Sequence, residues 1–300
     1  MFSIKKLLPL FVIGTLLISG CGSKSSSDTS SSLAPVKEQK TIVAATGGTK
    51  IGIAYFDKNN ELTGYEVEVL KEAAKRAGYK IQFQTAKSAD ILDGISAGRY
   101  QINFDTLSKT PAQEEKYTFT KVPHYYEPAA FAFPKGFLKK HPVKKIDDLG
   151  NLRTCLTSGK ENSWQRFVEA FRKKFPEKAI QVTYTKEGWA DFYRRLNAGD
   201  GIDVLKTKES RIHLLEQEYG YHFDFVVLPQ SEMDKVGKLT NPNAYFMFPK
   251  TEEGAKMAAD FDKAINAMQK DGTLSKLSIK VLGSDYSSKA NYEKSHQVKK

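Results

Sequence analysis

The chain has 300 residues, enough for about two domains, and its 40% apolar and 27% charged residues exclude a chain disordered throughout. Two cysteines exclude a disulfide scaffold and the multi-cysteine zinc ribbons, and five histidines without paired spacing disfavour a metal site. Lysine and arginine outnumber the acids, 46 to 35, for a formal charge of +11.

The first residues read as an address. Lys5 and Lys6 precede an apolar run over 7–18, which is followed by Ser19, Gly20 and Cys21. The stretch resembles a bacterial lipobox, so residues 1–20 are expected to be a lipoprotein signal peptide, with Cys21 as the site of lipid attachment. The alternative is an ordinary secretory signal beside a stray cysteine. Residues 23–32 hold seven serines, too polar to bury a core, so 21–40 is expected to be a flexible tether. Loss of 1–20 removes two lysines and leaves +9. Later in the chain no apolar run reaches the ~18 residues a membrane helix needs.

Strands and helices then alternate. Residues 41–45 read as a buried strand, and Val67, Leu70 and Ala74 form a helical face that Gly78 ends. A strand over 81–84, a helix carrying Ile91 and Ile95 and a strand over 100–104 complete a βαβαβ order, which implies a parallel sheet. Residues 59–64 read as a hairpin turn. The second half repeats the style. Its expected strands cover 153–157, 180–184, 201–205 and 222–228, and Asn162 or Ser163 caps a helix bearing Trp164, Phe167 and Phe171. Helices around Trp189 and Ile212 intervene. Two α/β lobes are expected. Cys155 falls in a strand and reads as an inert core thiol.

Familiar catalytic signatures are missing. Residues 47–50 carry Gly-Gly-Thr-Lys but lack the first glycine of a P-loop, and neither GxSxG nor GxGxxG occurs. The lysines are scattered and the leader directs the chain outward, so no nucleic-acid partner is expected.

Four stretches carry a family resemblance: "NELTGYEVEVLKEAAKRAGYK" at 60–80, "TLSKTPAQEEKYTFTKVPHYY" at 106–126, "VKKIDDL" at 143–149 and "FPKTEEGAKMAADFDKAINAMQKDGTLSKLSIKVLGSD" at 248–285. From about residue 40 to 286 the chain resembles the substrate-binding lipoproteins of polar-amino-acid ABC importers, and the 106–117 phrasing is closest to cystine-type members. The resemblance implies an α/β, two-lobed, periplasmic-binding-protein-like clamp of type II with two crossover segments. Lobe 1 is expected at 41–130 plus 248–286, lobe 2 at 136–243 and a basic C-terminal tail at 287–300. The apolar runs 128–134 and 243–249 are the expected crossovers.

By that resemblance the protein is an extracytoplasmic, lipid-anchored monomer. It passes a small polar solute to a membrane permease and uses no cofactor or metal. The family's usual carboxylate-gripping Thr-x-x-Arg matches Thr110 and Gln113, so glutamine stands where arginine is usual. The usual lobe-2 aspartate matches Lys208, and a one-residue slip would put Glu209 there instead. The aromatic shelf positions match Lys50 and Ser88, and an acid sometimes found at the first strand's end matches Gly47. Thr106, Ser108 and the 158–160 loop, with Ser158 and Lys160, are further expected contacts. Asp105, Glu161 and Glu209 are candidate substitutes for the missing groups. Five changed positions favour a solute whose α-ammonium is blocked, absent or turned elsewhere; an unmodified amino acid such as cystine is the blander account. Two other functions stay open: a basic adhesin or scaffold, and, less favoured, a dehydratase-like enzyme.

Overall fold

The computed structural model describes residues 39–159, 162–239 and 241–296. The expected signal peptide, Cys21 and the expected tether as far as residue 38 lie outside the described residues.

The first lobe is built on the strand Thr41–Thr46, flanked in parallel by Lys80–Thr85 and Ile102–Leu107. The sheet is not wholly parallel. Asn243–Pro249 joins it antiparallel beside Ile102–Leu107, and Tyr117–Phe119 lies on its far edge. The βαβαβ reading of the first sixty folded residues therefore holds, and a strand from the far end of the sequence extends the sheet with opposite polarity. The helix Tyr65–Ala77 buries Val67, Leu70 and Ala74 at helical spacing, with Glu66 and Glu68 in its first turn and Lys75 and Arg76 in its last. Gly78 ends it at φ 80°, the left-handed cap that glycine adopts without strain. The hairpin at 59–64 is present, joining Ala54–Phe56 to Leu62–Thr63. Helices Glu252–Lys270 and Thr273–Leu282 complete the lobe around Phe104, Phe246, Phe248 and Phe261.

The second lobe holds a parallel pair, Arg153–Thr157 with Gln181–Thr185, and an antiparallel trio with Ala130–Pro134 between Leu205–Thr207 and Phe223–Val227. Asn162 caps the helix Ser163–Lys174, its side chain accepting from the Trp164 and Gln165 N–H groups at 2.9 and 3.0 Å. Cys155 is buried in its strand, and burial pushes its thiol pKa up.

Two expectations change and a third gains detail. The apolar runs expected to be crossovers form strands. Phe131 and Phe133 face one lobe-2 core while Ala130 and Ala132 face another, so burial on both sides explains the unbroken apolar pattern. Asn243–Pro249 likewise belongs to the first sheet, so the chain crosses before each strand; there the Glu127 N–H donates to the Pro242 carbonyl at 2.9 Å. The strand expected at 201–205 forms at Leu205–Thr207 instead. The preceding residues are drawn aside because the Asp203 carboxylate accepts from Arg153 Nε and Nη2 at 2.9 and 2.7 Å. Finally, the stretch expected as a basic tail contains the helix Lys289–His296. It buries Tyr292 and places that ring 5.8 Å from Tyr286 and 5.7 Å from Tyr126.

Candidate functional site

Between the lobes lies a cleft of about 540 Å³ that runs into a second space of about 330 Å³, sharing Lys50, Thr106, Trp189, Lys206 and Lys208. Both lobes supply its walls. A solute seated there touches both, and the cleft's volume suits an amino acid or a short peptide.

The lobe-1 wall is made at the end of Ile102–Leu107. Thr106 adopts φ 52°, a region a β-branched residue rarely enters. A buried acid holds it there: both Glu66 oxygens accept the Thr106 N–H, at 3.0 and 2.9 Å. His124 Nε2 lies 2.7 Å from Glu66, and its ring stacks on Phe246 at 3.9 Å. A buried glutamate is tolerated because it is paired. Lys50 then reaches the same turn, donating to Thr106 Oγ1 at 3.1 Å and to the Asp105 carbonyl. Behind it, the Asp105 carboxylate accepts from Thr46 Oγ1 and the Gly47 N–H, each at 3.0 Å. Burial pushes the Asp105 pKa up and the Lys50 ammonium opposes that shift. A β-carbon on Gly47 would stand 3.2 Å from that carboxylate, so an acid at position 47 would crowd it with like charge.

At the cleft floor, Glu127 is buried where the chain leaves lobe 1. It accepts from the Ser210 N–H at 2.7 Å, Ser210 Oγ at 3.0 Å and the Tyr125 hydroxyl. These bonds place its charge on the first turn of the helix Glu209–Tyr219.

The lobe-2 wall is cationic. Lys206, on the short strand Leu205–Thr207, and Lys208, just past its end, are two residues apart and both reach the cleft, as does Thr207 between them, while Leu205 is buried in the lobe-2 core. Lys208 donates to the Glu127 carbonyl. Burial lowers its pKa; nearby Glu127 opposes this and Lys50 reinforces it. Burial also lowers Lys206, to about 8, with Lys208 and Arg166 adding to the effect. Trp189, 37% exposed at the start of its helix, and Arg211 complete this wall.

Of the residues expected from sequence, Lys50, Thr106, Ser108 and Lys208 line the cleft. Thr110 and Gln113 engage each other instead. The Gln113 N–H donates to Thr110 Oγ1 at 3.3 Å, and that hydroxyl donates to Gln113 Oε1 at 3.0 Å, capping the short helix Pro111–Lys116. Ser88 and Ser158 are exposed and are not among the lining residues, and Lys160 and Glu161 lie outside the described residues. Glu209 faces away from the cleft, 2.9 Å from His296 Nε2. Lys208, not Glu209, is thus the side chain that lines the cleft. Sequence reasoning missed Trp189, Lys206, Glu127 and Arg211. Only the 206/208 alternation was a usable signal. Among the described residues no group of three His, Cys, Asp or Glu side chains is placed to hold a metal, and no helix is long and apolar enough to cross a membrane.

Comparison with known proteins agrees with this architecture. The L-cystine-binding protein TcyK of Bacillus subtilis is 29% identical over 284 residues, covering 93% of this chain and 95% of that protein. The L-cystine-binding protein TcyJ of the same organism is 26% identical over 297 residues, covering 97% and 98%. A solved structure described as the basis of glutathione import in Gram-positive bacteria via GshT and the cystine ABC importer TcyBC of Streptococcus mutans superposes with a TM-score of 0.67. It is 25% identical and covers 83% of this chain and 98% of its own. The fold is that of type II periplasmic binding proteins, and the family and these relatives are solute-binding proteins rather than enzymes. A family model matches residues 42–284, and the chain therefore belongs to the bacterial extracellular solute-binding proteins, family 3.

Proposed function

We propose that this protein is a lipid-anchored receptor on the outer face of the cell membrane. It captures an amino-acid-class solute between its lobes and passes it to an ABC permease. Residues 1–20 direct export, Cys21 carries the lipid, and 21–40 tether a monomeric clamp above the bilayer. Lys50, Thr106, Ser108 and Lys208 are the proposed contacts from the two walls. The observation that carries this reading is the division of cleft residues between lobes, Lys50 and Thr106 on one side and Trp189, Lys206 and Lys208 on the other. A solute bonded to both sides stabilises the closed arrangement over the open one by its differential contacts. The cystine-binding relatives and the glutathione-import structure support a sulfur-containing amino acid or peptide as cargo.

The test titrates L-cystine and glutathione against the full chain in detergent. A bound solute at 100 times its Kd is expected to add about 2.7 kcal/mol to apparent stability. Small-angle scattering should show a smaller radius of gyration at the same concentration. Tight binding with an unchanged radius would overturn the clamp.

A further inference from the structure

We propose that the cleft selects a net-anionic solute, one whose carboxylates outnumber its ammonium groups, held between Lys50 on lobe 1 and Lys206 with Lys208 on lobe 2. The proposal rests on the receptor reading and specifies its cargo.

The argument begins with an inventory of charge. Lys50, Lys206, Lys208 and Arg211 all line one cleft. Each lysine ammonium has three donors. Lys50 spends two on Thr106 Oγ1 and the Asp105 carbonyl, and Lys208 spends one on the Glu127 carbonyl. Lys206 meets only the Phe167 ring, at 6.0 Å, among the described residues. Donors therefore remain free on both walls.

The acids are already engaged. Glu127 is the one carboxylate among the described lining residues, and both its oxygens accept from Tyr125 and Ser210. Asp105 sits behind Lys50, bonded to Thr46 and Gly47, and Glu66 is spent on Thr106 and His124. Glu209 is turned to the C-terminal helix. No described carboxylate is left to receive a solute ammonium at the lobe-2 wall, where two lysines stand instead. Clustered cations in a half-buried site repel one another; burial lowers the Lys206 pKa most, and neighbouring Lys208 and Arg166 lower it further. A carboxylate bridging them relieves it, and an ammonium would add to it.

The full chain in detergent is titrated calorimetrically with glutathione, N-acetyl-L-glutamate, L-cystine and glutathione diethyl ester. At neutral pH these carry net charges of −1, −2, zero and +1 in turn. At least one anionic probe is expected to bind about 10-fold or more tighter than L-cystine, a difference of about 1.4 kcal/mol. Esterifying glutathione should remove about 10-fold or more of its affinity. Lys208→Gln and Lys206→Met should each weaken the anionic probe about 10-fold while circular dichroism and urea unfolding show a folded protein. Tighter binding of L-cystine, equal binding of the ester, or an anion affinity that neither variant changes would each overturn the proposal. L-cystine binding with compaction would overturn this inference and leave the receptor reading intact. Silence across all four probes would count against both.

Discussion

Replacing Lys206 with methionine should stabilise the ligand-free protein while weakening its cleft. The Lys206 pKa falls from 10.5 to about 8, chiefly through burial, with Lys208 and Arg166 adding repulsion. That drop corresponds to about 3 kcal/mol against the charged form. Methionine keeps an unbranched stem of similar length, so little packing is lost. The Lys206 ammonium lies 6.0 Å from the Phe167 ring, and losing that contact returns about 0.5–1 kcal/mol. Partial exposure screens the rest, so Lys206→Met should gain about 1–2 kcal/mol near pH 7.

The pH dependence fixes the mechanism. The folded value lies below the unfolded one, so between about pH 8 and 10.5 the unfolded chain binds more protons and native stability rises with pH. The penalty is complete below about pH 8 and gone above about 10.5, so the variant's advantage should shrink by at least half between about pH 7 and 9.5. Urea unfolding of both proteins at the two pH values measures it. A variant no more stable than the parent near neutrality, or a difference independent of pH, would show that Lys206 is not held in a cationic, half-buried site.

Three further outcomes are expected. Cys21→Ser should move the protein from the membrane fraction to the soluble one, with loss of the acyl mass; continued membrane association without acylation would refute the anchor. Glu66→Gln leaves a buried acceptor short and loosens Thr106, so urea unfolding should show a loss of about 1–3 kcal/mol together with weaker solute binding. An unchanged affinity would mean that the φ 52° turn is not needed for the site. Tyr292→Ala removes the ring that docks the last helix against Tyr286 and Tyr126, at an expected cost of about 2–3 kcal/mol in thermal or urea unfolding. A neutral result would show that this helix adds nothing to the folded state.

Most of the local structure was legible before folding was considered. The Gly78 stop, the Asn162 cap and the strand at Arg153–Thr157 are written in capping and period, which act over a few residues. The two-lobed class also followed from the order of elements. What the sequence left open lies where the deciding partner is distant in the chain. That the run Ala130–Pro134 is a strand was not legible because its neighbours on both faces, Phe167 and Phe192, lie 30 or more residues away. Thr110 and Gln113 match a ligand-gripping pair by position, and the structure adds that they bond each other at a helix start. Lys208 against Glu209 was a question of one residue's rotation about the backbone. Their directions depend on Glu127, 81 residues back, whose carbonyl takes the lysine at the cleft, and on His296 at the far end, 2.9 Å from the glutamate. Sequence by itself determined the main elements and the lobed class, because hydrophobic period and caps are local. Tertiary structure alone decided which charges share the cleft, because burial and pairing depend on what the rest of the chain brings beside each side chain.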